Sequence, residues 1–86
     1  MNDTALQSLT ELLLTLAELE AQRPCSPARL AKQSGRRMSV LLRELSVLEQ
    51  MGLVRHDSEA GRVGLTEEGR QFKQQIAAAS AIALSN

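Results

Sequence analysis

Four residues, Pro24, Pro27, Gly35 and Gly52, cut a leucine-rich chain into short segments and so limit what it can fold into. Residues 3–22 predict a helix, because Leu6, Leu9, Leu13 and Leu16 recur at three- and four-residue spacing. Leu12, Leu14 and Leu19 widen that stripe enough to cover more than one partner surface. Arg23-Pro24 ends it, since a residue before proline avoids helical angles. Ser26-Pro27 opens a second, short helix: serine is a good N-cap, and proline suits a first turn that needs no N–H. Leu30 and Ala31 face inward, and Gly35 is the stop. A third helix is expected from about Arg37 to Met51, with Met38, Leu41, Leu45 and Leu48 as its buried stripe and Gly52 as its stop.

Beyond Gly52 the period changes. Leu53-Val54-Arg55-His56 and Arg62-Val63-Gly64-Leu65 predict two short strands, and polar residues 57–61 predict the hairpin loop. Thr66 caps a last helix, whose first turn holds Glu67 and Glu68, where acidic groups suit the helix dipole. Phe72, Ile76, Ala79 and Ala83 form its apolar stripe. The expected domain is single and mainly α, spanning residues 1–86. It comprises an N-terminal helix over 3–22, a helix-turn-helix over 26–52, a hairpin over 53–65 and a C-terminal helix over 66–84.

Composition removes several classes of function. Phe72 is the only aromatic residue, so the core is aliphatic and there is little on which single-stranded bases can stack. One cysteine, Cys25, leaves no disulfide framework and no cysteine-cluster metal site. No apolar run is long enough to span a membrane, and Met1-Asn2-Asp3-Thr4 has no signal-like flank, so a soluble cytoplasmic protein is expected. No Ser-His-Asp set and no glycine-rich phosphate loop is present, and Glu67 and Glu68 are adjacent on a helix and do not face each other. An enzyme is therefore not expected, nor a cofactor, nor a metal at the lone His56.

The net charge of zero hides a segregation. Residues 23–55 hold seven basic residues against two acidic ones, a net +5, whereas the rest of the chain holds three against eight, a net −5. A basic middle between acidic flanks suggests a face for an anion.

Leu30-Ala31, Gly35, Ser39, Arg43, Leu48-Glu49 and Gly52-Leu53-Val54 follow one another at a spacing that resembles the winged-helix regulators of the MarR and ArsR type. Leu65-Thr66-Glu67-Glu68-Gly69-Arg70 is similar to the Leu-Thr-x-x-Gly-Arg stretch that follows the hairpin wing in MarR-like proteins. The resemblance covers about half the chain, Ser26 to Arg70. It implies a winged helix-turn-helix with a three-helix core, a two-stranded β-hairpin wing and a C-terminal helix. It also implies a DNA-binding transcriptional regulator whose helix 37–51 enters the major groove of double-stranded DNA.

On that resemblance Ser39, Val40, Leu42, Arg43 and Ser46 are the base-reading positions. Arg43 suits a guanine edge and Val40 a thymine methyl, while Leu42 is unusual on such a surface. Ser26, Arg29, Lys32, Arg36, Arg37 and Arg62 are the phosphate contacts. Arg36 and Arg37 oppose the dipole at a helix start, and nothing in the local sequence compensates them. A homodimer is expected, with Leu9, Leu12, Leu16, Leu19, Phe72, Ile76, Ala79 and Ala83 as its interface and the two recognition helices roughly 34 Å apart. The hairpin loop carries Asp57 and Glu59, and Arg62 is the only basic residue near its tip, so its contact with DNA should be weak.

Two alternatives stand beside this. Cys25 precedes a helix N-terminus, where a thiol is either a small buried residue or an oxidant sensor of the kind some MarR-like regulators use. The same fold also serves as a protein-interaction module or a subunit of a larger complex. Small winged-helix proteins associated with membrane iron transport resemble the chain in size, but usually carry a cysteine cluster in the wing that is missing here.

Overall fold

Helix α1 (Asp3–Gln22) brings its leucines to the centre of the molecule, and everything after it packs around that row. The computed structural model describes residues 3–85, with side chains from Thr4 to Ala79. After α1 come α2 (Pro27–Ser34), α3 (Met38–Gln50), strands β1 (Val54–Asp57) and β2 (Arg62–Leu65), and α4 (Glu67–Ser85). The described chain is thus mainly helical, with one antiparallel hairpin. Among the described residues no helix is long and apolar enough to cross a membrane.

The buried row of α1 is Leu12, Leu13, Leu16 and Leu19. The expected row began earlier, at Leu6, yet Leu6 is 55% exposed and Leu9 only partly buried. A 20-residue helix is about 30 Å long and its 8-residue neighbour α2 about 12 Å, so α1 extends well beyond α2. Similarly, Met38 does not join Leu41, Leu45 and Leu48 in the core, because it is the first residue of α3 and lies at the helix end, 41% exposed. Leu30 and Ala31 of α2, Leu53, Val54, Val63, Leu65 and Cys25 complete the core. Each fully buried leucine contributes about 2 kcal/mol, which far exceeds the helix propensity of segments this short.

Leu12, Leu16 and Leu19 were expected to hold a second subunit. Instead they are buried in their own domain, because α1 is enclosed by α2, β2 and α4. Leu9 and Ile76 also pack against this core. Phe72 and Ala79 remain exposed, and the side chain of Ala83 lies outside the described residues.

Two helix ends close in the same way. Gly35 takes φ 69°, its N–H bonding Lys32 O and the Arg36 N–H bonding Ala31 O at 3.0 Å. Gly52 takes φ 77°, its N–H bonding Glu49 O and the Leu53 N–H bonding Leu48 O, both at 3.0 Å. Both are Schellman closures, in which glycine supplies the left-handed residue that reverses the chain. At the second, the buried side chains of Leu48 and Leu53 provide the apolar pair that accompanies such a turn.

The hairpin pairs Val54 with Leu65 and Asp57 with Arg62. Asp57 shapes the turn, its Oδ1 accepting the N–H groups of Glu59 and Ala60 at 3.1 Å. On the other side of β2, the Val63 N–H donates to Cys25 O at 2.9 Å and the Leu65 N–H to Glu20 Oε2 at 3.1 Å. Thr66 then caps α4, its Oγ1 accepting from Gly69 N–H at 3.0 Å and donating to Gly52 O. The Thr66 N–H bonds Leu53 O at 3.0 Å. A Cβ on Gly69 would fall 2.0 Å from that same Leu53 oxygen, so only glycine permits α4 to start there.

Gly69→Ala should therefore destabilise the domain by about 3 kcal/mol or more, as overpacking against rigid backbone does. Gly61→Ala, at φ 65° but in open space, should cost only about 1 kcal/mol. Urea unfolding midpoints of the two variants check the ranking, and equal losses would contradict the close approach.

Candidate nucleic-acid interface

Helix α3 divides lengthwise into a buried stripe, a polar ridge and two apolar flanks. Leu41, Leu45 and Leu48 face the core. At 100° per residue, Ser39, Arg43, Ser46 and Gln50 fall on the opposite side, and all four are exposed. Val40, Val47 and Met51 lie along one flank of this ridge, and Met38 and Leu42 along the other, each 39–52% exposed. All five expected base-reading residues, Ser39, Val40, Leu42, Arg43 and Ser46, are thus on the outward side. Gln50 was missed, although its spacing of four from Ser46 and seven from Arg43 continues the same ridge.

Arg36 does something different from what was expected. It lies in the turn before α3, and its Nε meets Glu44 Oε1 at 2.6 Å, with both side chains little exposed at 13% and 14%. Its Nη2 donates to Ser8 O at 2.8 Å and to Ser8 Oγ at 2.9 Å, and Nη1 donates to Ser34 O. The Ser8 hydroxyl in turn donates to Glu44 Oε2. One guanidinium therefore fastens α1, the end of α2 and the middle of α3, and it is not presented to a phosphate. Its counter-charge comes from Glu44, eight positions on and in the middle of α3, beyond the local window in which no compensation was visible.

The remaining cations divide by exposure. Arg37 is exposed at the N-cap of α3, where no side chain caps the helix and no acidic residue occupies the first turn. Lys32 is exposed in the last turn of α2. Arg62 is exposed on β2 opposite Asp57, and Arg55 is exposed on β1. Arg29 is half-buried and reaches back to α1, with Nη2 on Gln22 Oε1 at 3.1 Å and Nη1 on Leu19 O at 3.5 Å. Ser26 spends its Oγ as acceptor for the Arg29 N–H at 3.1 Å, which is the cap of α2. Of the six expected phosphate contacts, Lys32, Arg37 and Arg62 stand outward, whereas Ser26, Arg29 and Arg36 are engaged by the fold.

Cys25 is buried in the core beside β2. Burial pushes its thiol pKa up; the charge of Arg29 works against this, and Glu20 adds to it. This is the small buried residue of the sequence reading, with a neutral thiol away from solvent. A shallow concavity of about 640 Å³ beside the hairpin mixes Arg55, Arg62 and Arg70 with Glu20, Asp57, Glu67 and Glu68, so it is no basic cradle for an anion. Among the described residues no group of three or more side chains is placed to hold a metal ion. No protein-family model, curated protein or solved structure matches this chain.

Glu44→Ala leaves Arg36 without its counter-charge in a nearly closed site and should cost about 3 kcal/mol. Arg36→Ala with Glu44→Ala should cost clearly less than the sum of the single changes, as read by a double-mutant cycle in urea. Cys25 should resist iodoacetamide in the native protein and react freely in about 6 M guanidinium, as a thiol exposed only on unfolding does. Equal rates in the two states would place the thiol at the surface.

Proposed function

We propose that the chain is a winged helix-turn-helix DNA-binding regulator, in which α2 and α3 form the helix-turn-helix and the β1–β2 hairpin is the wing. The observation that supports it best is the outward ridge of α3: a single cation, Arg43, stands among Ser39, Ser46 and Gln50 with none of the domain's own elements over it. A helix of this kind fits the major groove, where arginine bonds a guanine edge bidentately and serine and glutamine serve as further donors. Arg37 and Lys32 are exposed near the start of the ridge and in the preceding helix, where such proteins meet the phosphate backbone. The uncapped N–H groups of the first turn of α3 add to that attraction. The wing contributes Arg62, and its Asp57 and Glu59 keep that contact weak.

A regulator of this type acts in the cytoplasm on duplex DNA and works as a homodimer that occludes a promoter. Leu6 and Phe72 are exposed on α1 and α4, which pack together, and among the described side chains they are the large apolar ones of these two helices left for a twin subunit once the inner leucines are assigned to the core. A second reading, a protein-interaction module, draws on the apolar flanks of α3.

An anisotropy titration against mixed-sequence duplex separates the two. DNA binding through about three phosphate contacts should weaken roughly fortyfold between about 50 and 200 mM salt. Arg37→Ala with Arg43→Ala should abolish it while leaving the urea midpoint unchanged, since both side chains are exposed. Binding that is indifferent to salt and to the double substitution sinks the regulator reading.

A further inference from the structure

We infer that α3 reads thymine methyl groups on both sides of a single guanine, so that its target is a thymine-rich half-site with one guanine at the position of Arg43. This rests on the DNA-binding reading and specifies its ligand.

The apolar residues of α3 are in the wrong places for an ordinary soluble helix. Its core stripe is already complete with Leu41, Leu45 and Leu48. Five more large apolar side chains, Met38, Val40, Leu42, Val47 and Met51, remain 39–52% exposed. They do not merge into one patch. The Val40, Val47 and Met51 row and the Met38 and Leu42 row lie about 180° apart around the axis, with the polar ridge midway between them. A flat protein surface laid on the ridge would reach neither row well, and one laid on either row would leave the other in water. A groove that embraces the helix meets both rows at once. The major groove is about 12 Å wide, close to the 10–12 Å diameter of a helix with its side chains.

The chemistry of that groove then selects the base. Of the four bases only thymine carries a methyl group on its major-groove edge; the others present hydrogen-bonding groups there beside at most a ring C–H. Apolar side chains against a polar base edge would leave its donors and acceptors without water or partner, a cost that selects against those bases. Against thymine they bury carbon on carbon. Leu42, an unexpected residue on a recognition surface, acquires a partner in this way. Charge supports DNA as the occupant: the exposed side chains that accompany the rows include Arg37, Arg43 and Lys32, against one carboxylate, Glu49, which lies on the Met38 and Leu42 side toward the end of α3. Arg43 supplies the one strong hydrogen-bonding reader of the ridge, which fixes the guanine.

The test is selection of the intact chain against a random-sequence duplex pool, followed by synthesis of the enriched duplex with deoxyuridine for every thymine of its core. Deoxyuridine keeps each hydrogen-bonding group and deletes only the methyl. The enriched core should hold a guanine flanked by thymines, and the deoxyuridine duplex should bind at least tenfold more weakly, at roughly fourfold per methyl lost. Leu42→Gln with Val47→Gln, both at exposed helical positions, should narrow the difference between the two duplexes, leaving what Val40 and the two methionines still read, and keep the salt dependence. An enriched core without thymine, or equal affinity of the wild-type chain for thymine and deoxyuridine duplexes, overturns the inference and leaves DNA binding standing. A pool from which nothing is enriched, with no salt-dependent binding to any duplex, overturns the DNA-binding reading and this inference together.

Discussion

The carbonyl of Leu53 is where the second half of the molecule is joined to the first. It follows directly on the Schellman closure of α3, accepts the N–H of Thr66, and lies so close to Gly69 that no side chain fits between. A main-chain oxygen at the head of β1 thus fixes where α4 begins. This is a hydrogen-bonded and steric junction in backbone atoms, less adjustable than side-chain packing. It suits a core of leucine, valine, alanine and cysteine, which has no aromatic ring to bridge a wider gap. Ala31 on α2 serves the same end, being small where α2 is buried against its neighbours.

Electrostatics divides the basic residues into two populations. Arg36 is consumed with Glu44 and Ser8 in orienting α3 relative to α1, and its bonds are made to groups with little access to water. Because that pair is internally neutral, the +5 of residues 23–55 survives its removal and is carried by Arg23, Arg29, Lys32, Arg37, Arg43 and Arg55 against Glu49. The ion pair therefore governs where the ridge points, and the exposed cations govern what it attracts. A buried pair of this sort is more a device of orientation than of net stability, since its desolvation offsets much of its attraction.

Much of the architecture was legible because its signals are local. Ser26-Pro27, Gly35, Gly52 and Thr66 mark helix ends through main-chain geometry that a residue imposes on its own neighbourhood, and the helix ends lie where they indicate, to within a residue or two. The outward set on α3 was legible for the same reason, since helical period alone separates it from Leu41, Leu45 and Leu48. What failed depended on distant segments. Periodicity shows that α1 has an apolar face, but not how much of its length α2, β2 and α4 cover, so the inner residues Leu12, Leu16 and Leu19 were assigned to a twin subunit. The role of Arg36 required Ser8, 28 positions away, to come within reach of its guanidinium. Gln50 continues the period one turn beyond Ser46, but as the last residue of α3 it lies outside the stretch that the resemblance marks for base reading.

The occupied flank of β2 has a consequence for how copies of this chain can meet. An open strand invites another strand to add to it, which is the usual route to runaway polymers. Here the carbonyl of Cys25 and the carboxylate of Glu20 take the two N–H groups that would recruit one, and they come from the connection after α1 and from α1 itself. Main-chain addition at β2 is thereby blocked by the folded monomer. A strand added on that side would first have to displace both acceptors. The acid group at position 20 is in this sense a guard against fibres as much as a support for the hairpin.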